Sequence, residues 1–160
     1  MLLMLLHNYG YVYCDLKPEN ILFDTRRAMF RLVDFGGVRE IGSSVTQFTP
    51  AFDRASYNCG TRQADPGFDA FALAALMVAL ATGKDPQPRS PELVDTPAIL
   101  ASVWKKARQN KLKDVAELLR ECDGYMKCNL LPSGRIRIAI YCLGLFSLVI
   151  FSITIICLLH

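Results

Sequence analysis

The six cysteines of this 160-residue chain include no Cys-x-x-Cys pair, and neither of its two histidines stands at metal spacing from one, so a zinc site is not expected. Excess charge of either sign is scarce as well. The formal net charge is only +3, and no basic stripe interleaves with aromatics, so no nucleic-acid partner is indicated. The opening run is not expected to be a secretory leader: Met1-Leu2-Leu3-Met4-Leu5-Leu6 is too short for a leader's apolar centre and lacks a basic start and a small-residue cleavage site. No internal repeat occurs. Reduced thiols are the default reading, with Cys122 and Cys128 able to pair only in an oxidising or hyperthermophilic setting.

Apolar residues make up 52% of the chain, and they are unevenly spread. Residues 138–159 carry no charge, and at about 1.5 Å per helical residue they match the roughly 30 Å hydrocarbon core of a bilayer. Lys127, Arg135 and Arg137 precede this run and only His160 follows it. The positive-inside bias then predicts a single transmembrane helix, with the soluble domain cytoplasmic and the carboxyl terminus on the opposite side.

Within the soluble part, the first six residues read as the end of a buried helix, stopped at His7-Asn8-Tyr9-Gly10, and Tyr11-Val12-Tyr13 reads as a short strand. Ile21-Leu22-Phe23 and Phe30-Arg31-Leu32-Val33 predict a small hairpin around Asp24-Thr25-Arg26-Arg27, with Asn20 and Asp34 brought together at its open end. From 36 to 59 the chain is rich in Gly, Ser and Thr without a period, which predicts an extended or mobile surface segment. Positions 71–80 are almost wholly apolar and predict a central helix over 69–82, buried all round. Ser90-Pro91-Glu92 and Thr96-Pro97 each read as a capping hydroxyl before a first-turn proline. Ile99, Leu100, Val103, Trp104 and Ala107, and then Leu112, Val115, Ala116 and Leu119, recur at core-facing helical spacing. Leu131-Pro132-Ser133-Gly134 closes the soluble part.

The chemistry concentrates in two short runs, Asp15-Leu16-Lys17-Pro18-Glu19-Asn20 and Asp34-Phe35-Gly36. Asp15 is placed to orient and deprotonate a hydroxyl, and Lys17 to neutralise a phosphate oxygen from the same side of the loop. Asn20 and Asp34 offer one neutral and one charged oxygen, a set suited to Mg²⁺. Gly36 lets the chain turn sharply after Asp34.

These two runs resemble the catalytic loop and the metal motif of eukaryotic-type protein kinases, with the lysine at 17 of the serine/threonine kind. The resemblance continues through Thr49-Pro50-Ala51-Phe52, similar to the segment beside the phosphorylated residue, with Thr49 expected to contact Asp15 and Lys17. It extends to Asp69-Ala70-Phe71-Ala72-Leu73-Ala74 and Leu80-Ala81-Thr82-Gly83-Lys84-Asp85-Pro86. By the resemblance Asp69 anchors the backbone of the catalytic loop; the lesser reading, from local sequence alone, is a simple helix cap. The implied architecture is a mainly α, kinase-like large lobe with a small β-hairpin region. It comprises a lobe over 1–122 (catalytic loop 13–20, activation segment 34–56), a linker over 123–137 and the membrane helix over 138–159.

ATP and Mg²⁺ are the implied cofactors, and a protein bearing Ser or Thr hydroxyls the implied substrate. Three departures qualify the match. Tyr13-Cys14 stands where the family has His-Arg, so the arginine that reads a phosphorylated activation loop is missing. Arg54-Ala55-Ser56 stands where the family has Ala-Pro-Glu, so its structural ion pair is lost and a less rigidly tied lobe is expected. No glycine-rich loop, Val-Ala-Ile-Lys strand or partner-glutamate helix occurs, so the β-rich small lobe that grips ATP is expected from an upstream segment or from another chain. A catalytically inactive, membrane-tethered interaction module is the alternative these departures favour.

Overall fold

The computed structural model describes residues 2–89 and 96–128. Its centre is helix α2 (Pro66–Thr82). Three local devices start and stop it: the Asp65 carboxylate accepts from the Phe68 N–H (3.0 Å), Pro66 occupies the first turn, and Gly83 closes the end with φ +70°. Every residue between Gly67 and Ala79 is buried, as the unbroken apolar run predicts, and the helix starts earlier than the expected 69. Burying Phe68, Phe71, Leu73, Leu76 and Met77 contributes about 1.5–3 kcal/mol each as an upper bound.

Helices α1 (Leu2–Asn8), α3 (Ala98–Arg108) and α4 (Val115–Cys128) complete the helical part. From α3, Ile99, Leu100, Val103, Trp104 and Ala107 all enter the core, in agreement with their spacing. Trp104 meets Tyr57 and Phe71 at ring-centroid separations of 5.4 and 5.5 Å. In α4 the buried stripe is Val115, Leu118 and Cys122, whereas Ala116 and Leu119 are only half-buried, a one-position rotation from the expected face. The helix also continues through 123–128, which the sequence places in the linker. Helix α1 buries only Leu3 and leaves Leu2 and Leu5 exposed, so the expected buried helix end is half-open.

The β structure is minor and antiparallel. Strands β1 (Tyr11–Val12) and β4 (Arg39–Glu40) pair Val12 with Arg39. Strands β2 (Ile21–Asp24) and β3 (Met29–Leu32) form the expected hairpin, with Ile21 opposite Leu32.

Two expectations are corrected. Segment 36–59 is not a mobile surface stretch: it holds β4 and 3-10 turns at Pro50–Phe52 and Arg54–Tyr57, and Val45, Ala51, Phe52, Asp53, Arg54 and Tyr57 are buried. Hydroxyl- and glycine-rich composition concealed this because the buried residues are scattered without a period. At the start of α3 it is Pro97, not Thr96, that occupies the cap position, and the Thr96 hydroxyl is buried without a partner among the described residues. The Ser90-Pro91 helix start, the Leu131-Pro132-Ser133-Gly134 closure and the membrane span over 138–159 lie outside the described residues. Among the described residues no helix is long and apolar enough to cross a membrane.

Candidate active site

The catalytic loop is positioned from below by Asp69. That carboxylate is fully buried in α2, and its two oxygens accept from the backbone N–H groups of Tyr13 and Cys14, each at 2.9 Å. The ring of His7, from α1, lies 2.9 Å from the same carboxylate. Asp69 is therefore not the helix cap, a role taken by Asp65. Two charge-assisted bonds to consecutive amides fix the backbone just before Asp15, and they hold Cys14 at φ +65°, in the sparsely populated left-handed region.

Asp15, Lys17 and Asn20 come together. One carboxylate oxygen of Asp15, Oδ2, accepts from Lys17 Nζ and from Asn20 Nδ2, both at 2.9 Å. Asn20, itself buried, also donates to the Asp15 carbonyl at 2.8 Å. The amide nitrogen of Asn20 is thus committed to Asp15, which leaves its carbonyl oxygen for a cation.

The hairpin carries the other half of the set. Val33 N–H donates to the Asn20 carbonyl at 3.0 Å, so Asp34 begins one residue beyond the strand pairing that starts at Asn20. Asp34 is exposed, takes φ +57° and receives the Gly36 N–H at 3.1 Å on one oxygen. Its other oxygen and the side-chain Oδ1 of Asn20 are hard oxygen atoms of the kind that Mg²⁺ takes. Among the described residues no group of three or more His, Cys, Asp or Glu gathers as a metal cluster. Thr49, half-buried, opens the turn at Pro50–Phe52, and no hydrogen bond joins its side chain to Asp15 or Lys17 among the described residues.

Three residues of the site escaped sequence reasoning. The Tyr13 hydroxyl sits between the carbonyl oxygens of Val33 and Asp34, 3.1 Å from the latter, and its ring meets Phe35 edge-on at 5.7 Å. Burial first, and then the charges of Asp15, Asp34 and Asp69, push this phenol up to about 12, so it stays a donor and ties the two loops together. Gly37 lies directly against the catalytic loop: a Cβ there would fall 2.8 Å from the Asp15 Cβ and 3.2 Å from the Tyr13 carbonyl. Arg39 donates to the carbonyls of Gly36 and Val38, each at 2.8 Å, and braces the turn from outside. The doubled glycine at 36 and 37 was the one sequence signal available for Gly37.

The expected loosening at Arg54-Ala55-Ser56 does not occur. Arg54 is buried and donates to both oxygens of Asp65, at 2.9 and 2.6 Å, and to the carbonyls of Thr61 and Gln63. Beside it the fully buried Asp53 accepts from the backbone of Ala55 and Ser56 and pairs with Arg62 at 2.9 Å. Two acid–arginine pairs thus hold the segment that the missing glutamate would have held.

Asp15, Lys17 and Asn20 thus stand in contact on one loop, anchored by the buried Asp69. Compared with known proteins, residues 2–138 match the family of the protein kinase domain. The chain belongs to the protein kinase family. Among individual kinases, it is 37% identical over 76 residues to the serine/threonine-protein kinase YabT of Bacillus subtilis, a match covering 48% of this chain and 22% of YabT. To the serine/threonine-protein kinase pkn3 of Myxococcus xanthus it is 34% identical over 91 residues, 48% of this chain and 16% of pkn3. The chain therefore matches about a fifth or less of the length of these kinases. Among solved structures, the Cydia pomonella granulovirus kinase PK-1 superposes with a TM-score of 0.61 at 18% identity, over 75% of this chain and 53% of that one. At that identity the likeness is one of fold. Protein kinase family membership carries with it ATP with Mg²⁺ and protein substrates as the family's general chemistry.

Proposed function

We propose that this chain is the large lobe of a membrane-anchored serine/threonine protein kinase. In this reading Asp15 orients the substrate hydroxyl and accepts its proton. Lys17 neutralises the transferred phosphate, and Asn20 and Asp34 would hold Mg²⁺, which would supply further charge neutralisation to the phosphate. The single observation that carries the reading is the convergence of Lys17 Nζ and Asn20 Nδ2 on one oxygen of Asp15, which orients the carboxylate and leaves its other oxygen for the hydroxyl. The ATP-gripping small lobe is supplied by an upstream segment or by another chain. The membrane anchor is residues 138–159, supported by their lack of charge and by Arg135 and Arg137 on the cytoplasmic side.

The test is to join the chain to a kinase small lobe and follow phosphate transfer from ATP to a generic protein substrate. Transfer is expected, and Asp15→Asn is expected to lower it by a factor of about 10²–10⁴, the span of a lost general base. Equal rates in both proteins would sink the assignment.

One observation favours a second reading, a kinase-like module that binds a partner without catalysis. Leu22, Phe23, Met29 and Phe35 stand exposed on the hairpin and the loop after it, 55%, 50%, 45% and 51% accessible, and large apolar side chains left open on so small an element favour a contact surface. Mg²⁺-dependent binding of an ATP analogue to the chain separates the two. Binding supports the catalytic reading, and its absence together with inactivity of the joined protein leaves the module.

A further inference from the structure

Apart from the main core, five residues are buried in a second cluster: Val12, Cys14, Val45, Ala64 and Phe68. Cys14 immediately precedes Asp15, and Val45 lies on the segment that leads from Asp34 to the Thr49 turn, four residues before Thr49. Both are closed off from solvent, at 3% and 5% accessible. The backbone around Val45 is laced to 62–64 by Gly42 N–H to the Ala64 carbonyl, Val45 N–H to the Arg62 carbonyl and Ala64 N–H to the Ser43 carbonyl, each 2.8 Å. Two arginines close the flanks. Arg62 pairs with buried Asp53 and stacks over Phe48 at 3.8 Å from the ring centroid, while Arg39 donates to the Thr46 hydroxyl at 3.3 Å.

A charged or phosphorylated group at position 45 would have to be desolvated in this cluster, and Cys14 offers it no counter-charge. The neutral pair does the opposite. Burial of two apolar groups favours the contact with no modification at all. We propose that Val45 and Cys14, with Ala64 and Phe68, form an apolar clamp that sets residues 42–53 against the catalytic loop without covalent modification. In place of a phosphate read by an arginine, the segment is fixed by packing, by a short backbone ladder and by the Asp53 to Arg62 pair. The proposal rests on reading 34–56 as the activation segment of the kinase, and it makes the site's geometry constitutive.

Amide hydrogen exchange on the unmodified full chain in detergent micelles tests this without reading phosphoryl transfer, so an inactive protein leaves the test intact. The Gly42 and Ala64 amides are expected to be protected. Val45→Glu and Cys14→Arg alone should each raise exchange at both amides at least about tenfold, the cost of a buried unpaired charge, while amides of α2 between Leu73 and Val78 change little. The double variant places a carboxylate and a guanidinium in the same cluster and should recover most of the protection. Should either single variant lose the α2 amides as well, Val45→Thr, nearly isosteric, should still raise exchange at Gly42 and Ala64 alone. The proposal is overturned by open-chain exchange of these amides in the unmodified protein, by no change in Val45→Glu or Val45→Thr, or by a double variant whose loss is the product of the two single losses.

Discussion

Helix α2 and the β2–β3 hairpin frame the same site under opposite rules. In α2 thirteen consecutive residues are buried and even its aspartate is spent on internal bonds, two to the catalytic loop and one to His7. The hairpin turns Leu22, Phe23 and Met29 outward and carries its aspartate, Asp34, in the open. Asp15 is thus held by a rigid floor, whereas the proposed metal ligand Asp34 sits on an element with little burial of its own. Burial, and with it the stability of the lobe, concentrates in the floor; the hairpin leaves much of its apolar surface open.

The largest expected effect is at the contact between the two. Asp69→Ala leaves the Tyr13 and Cys14 amides buried without acceptors and removes the partner of His7. At about 1–3 kcal/mol for each orphaned group, a loss of about 3–5 kcal/mol is expected in denaturant unfolding. A loss under 1 kcal/mol would mean that the floor does not depend on this carboxylate.

Next comes the contrast itself. Leu73→Ala, in α2, should cost about 2–5 kcal/mol as a fully buried truncation, while Leu22→Ala on the hairpin should stay within about 0.5 kcal/mol. Comparable costs at the two positions would break the comparison by showing that the hairpin face is covered in the isolated chain.

The parts of this arrangement that were legible beforehand are those written in contiguous residues. Asp15, Lys17 and Asn20 lie within six positions, so their convergence on one carboxylate needs only a tight loop. The apolar run at 71–80 has no polar face to misplace, and the hairpin was fixed by two β-rich runs around a turn. What stayed hidden depends on partners far away in sequence. The reach of Asp69 to Cys14 across 55 positions was implied only by the family resemblance, and Arg54 finds Asp65 only because the chain doubles back over 60–65. Val45 lies in a polar, aperiodic stretch whose burial no local pattern announces. The stripe of α4 shows a third limit: Leu118 and Leu119 are adjacent leucines, and only packing against α2 and α3 decides which one is inside.

The smallest effect expected is in the alkaline range, and it reports on the same floor. Burial, and after it the charge of Asp69, pushes the Cys14 thiol up to about 12 from an ordinary 9.0. Below pH 9 the thiol is protonated in both folded and unfolded chains, and stability does not depend on it. Between 9 and about 12 the unfolded chain releases the proton while the folded chain keeps it, so the stabilising contribution declines as pH rises through that window. Cys14→Ala removes this titration and should flatten the fall in unfolding free energy above pH 9 by up to one proton's worth of slope, with the neutral-pH value shifted only slightly. Cys122, pushed by burial up to about 11, leaves a residual slope of the same sign. An alkaline slope unchanged in Cys14→Ala would place the thiol in contact with water, and with it the backbone that Asp69 is meant to seal.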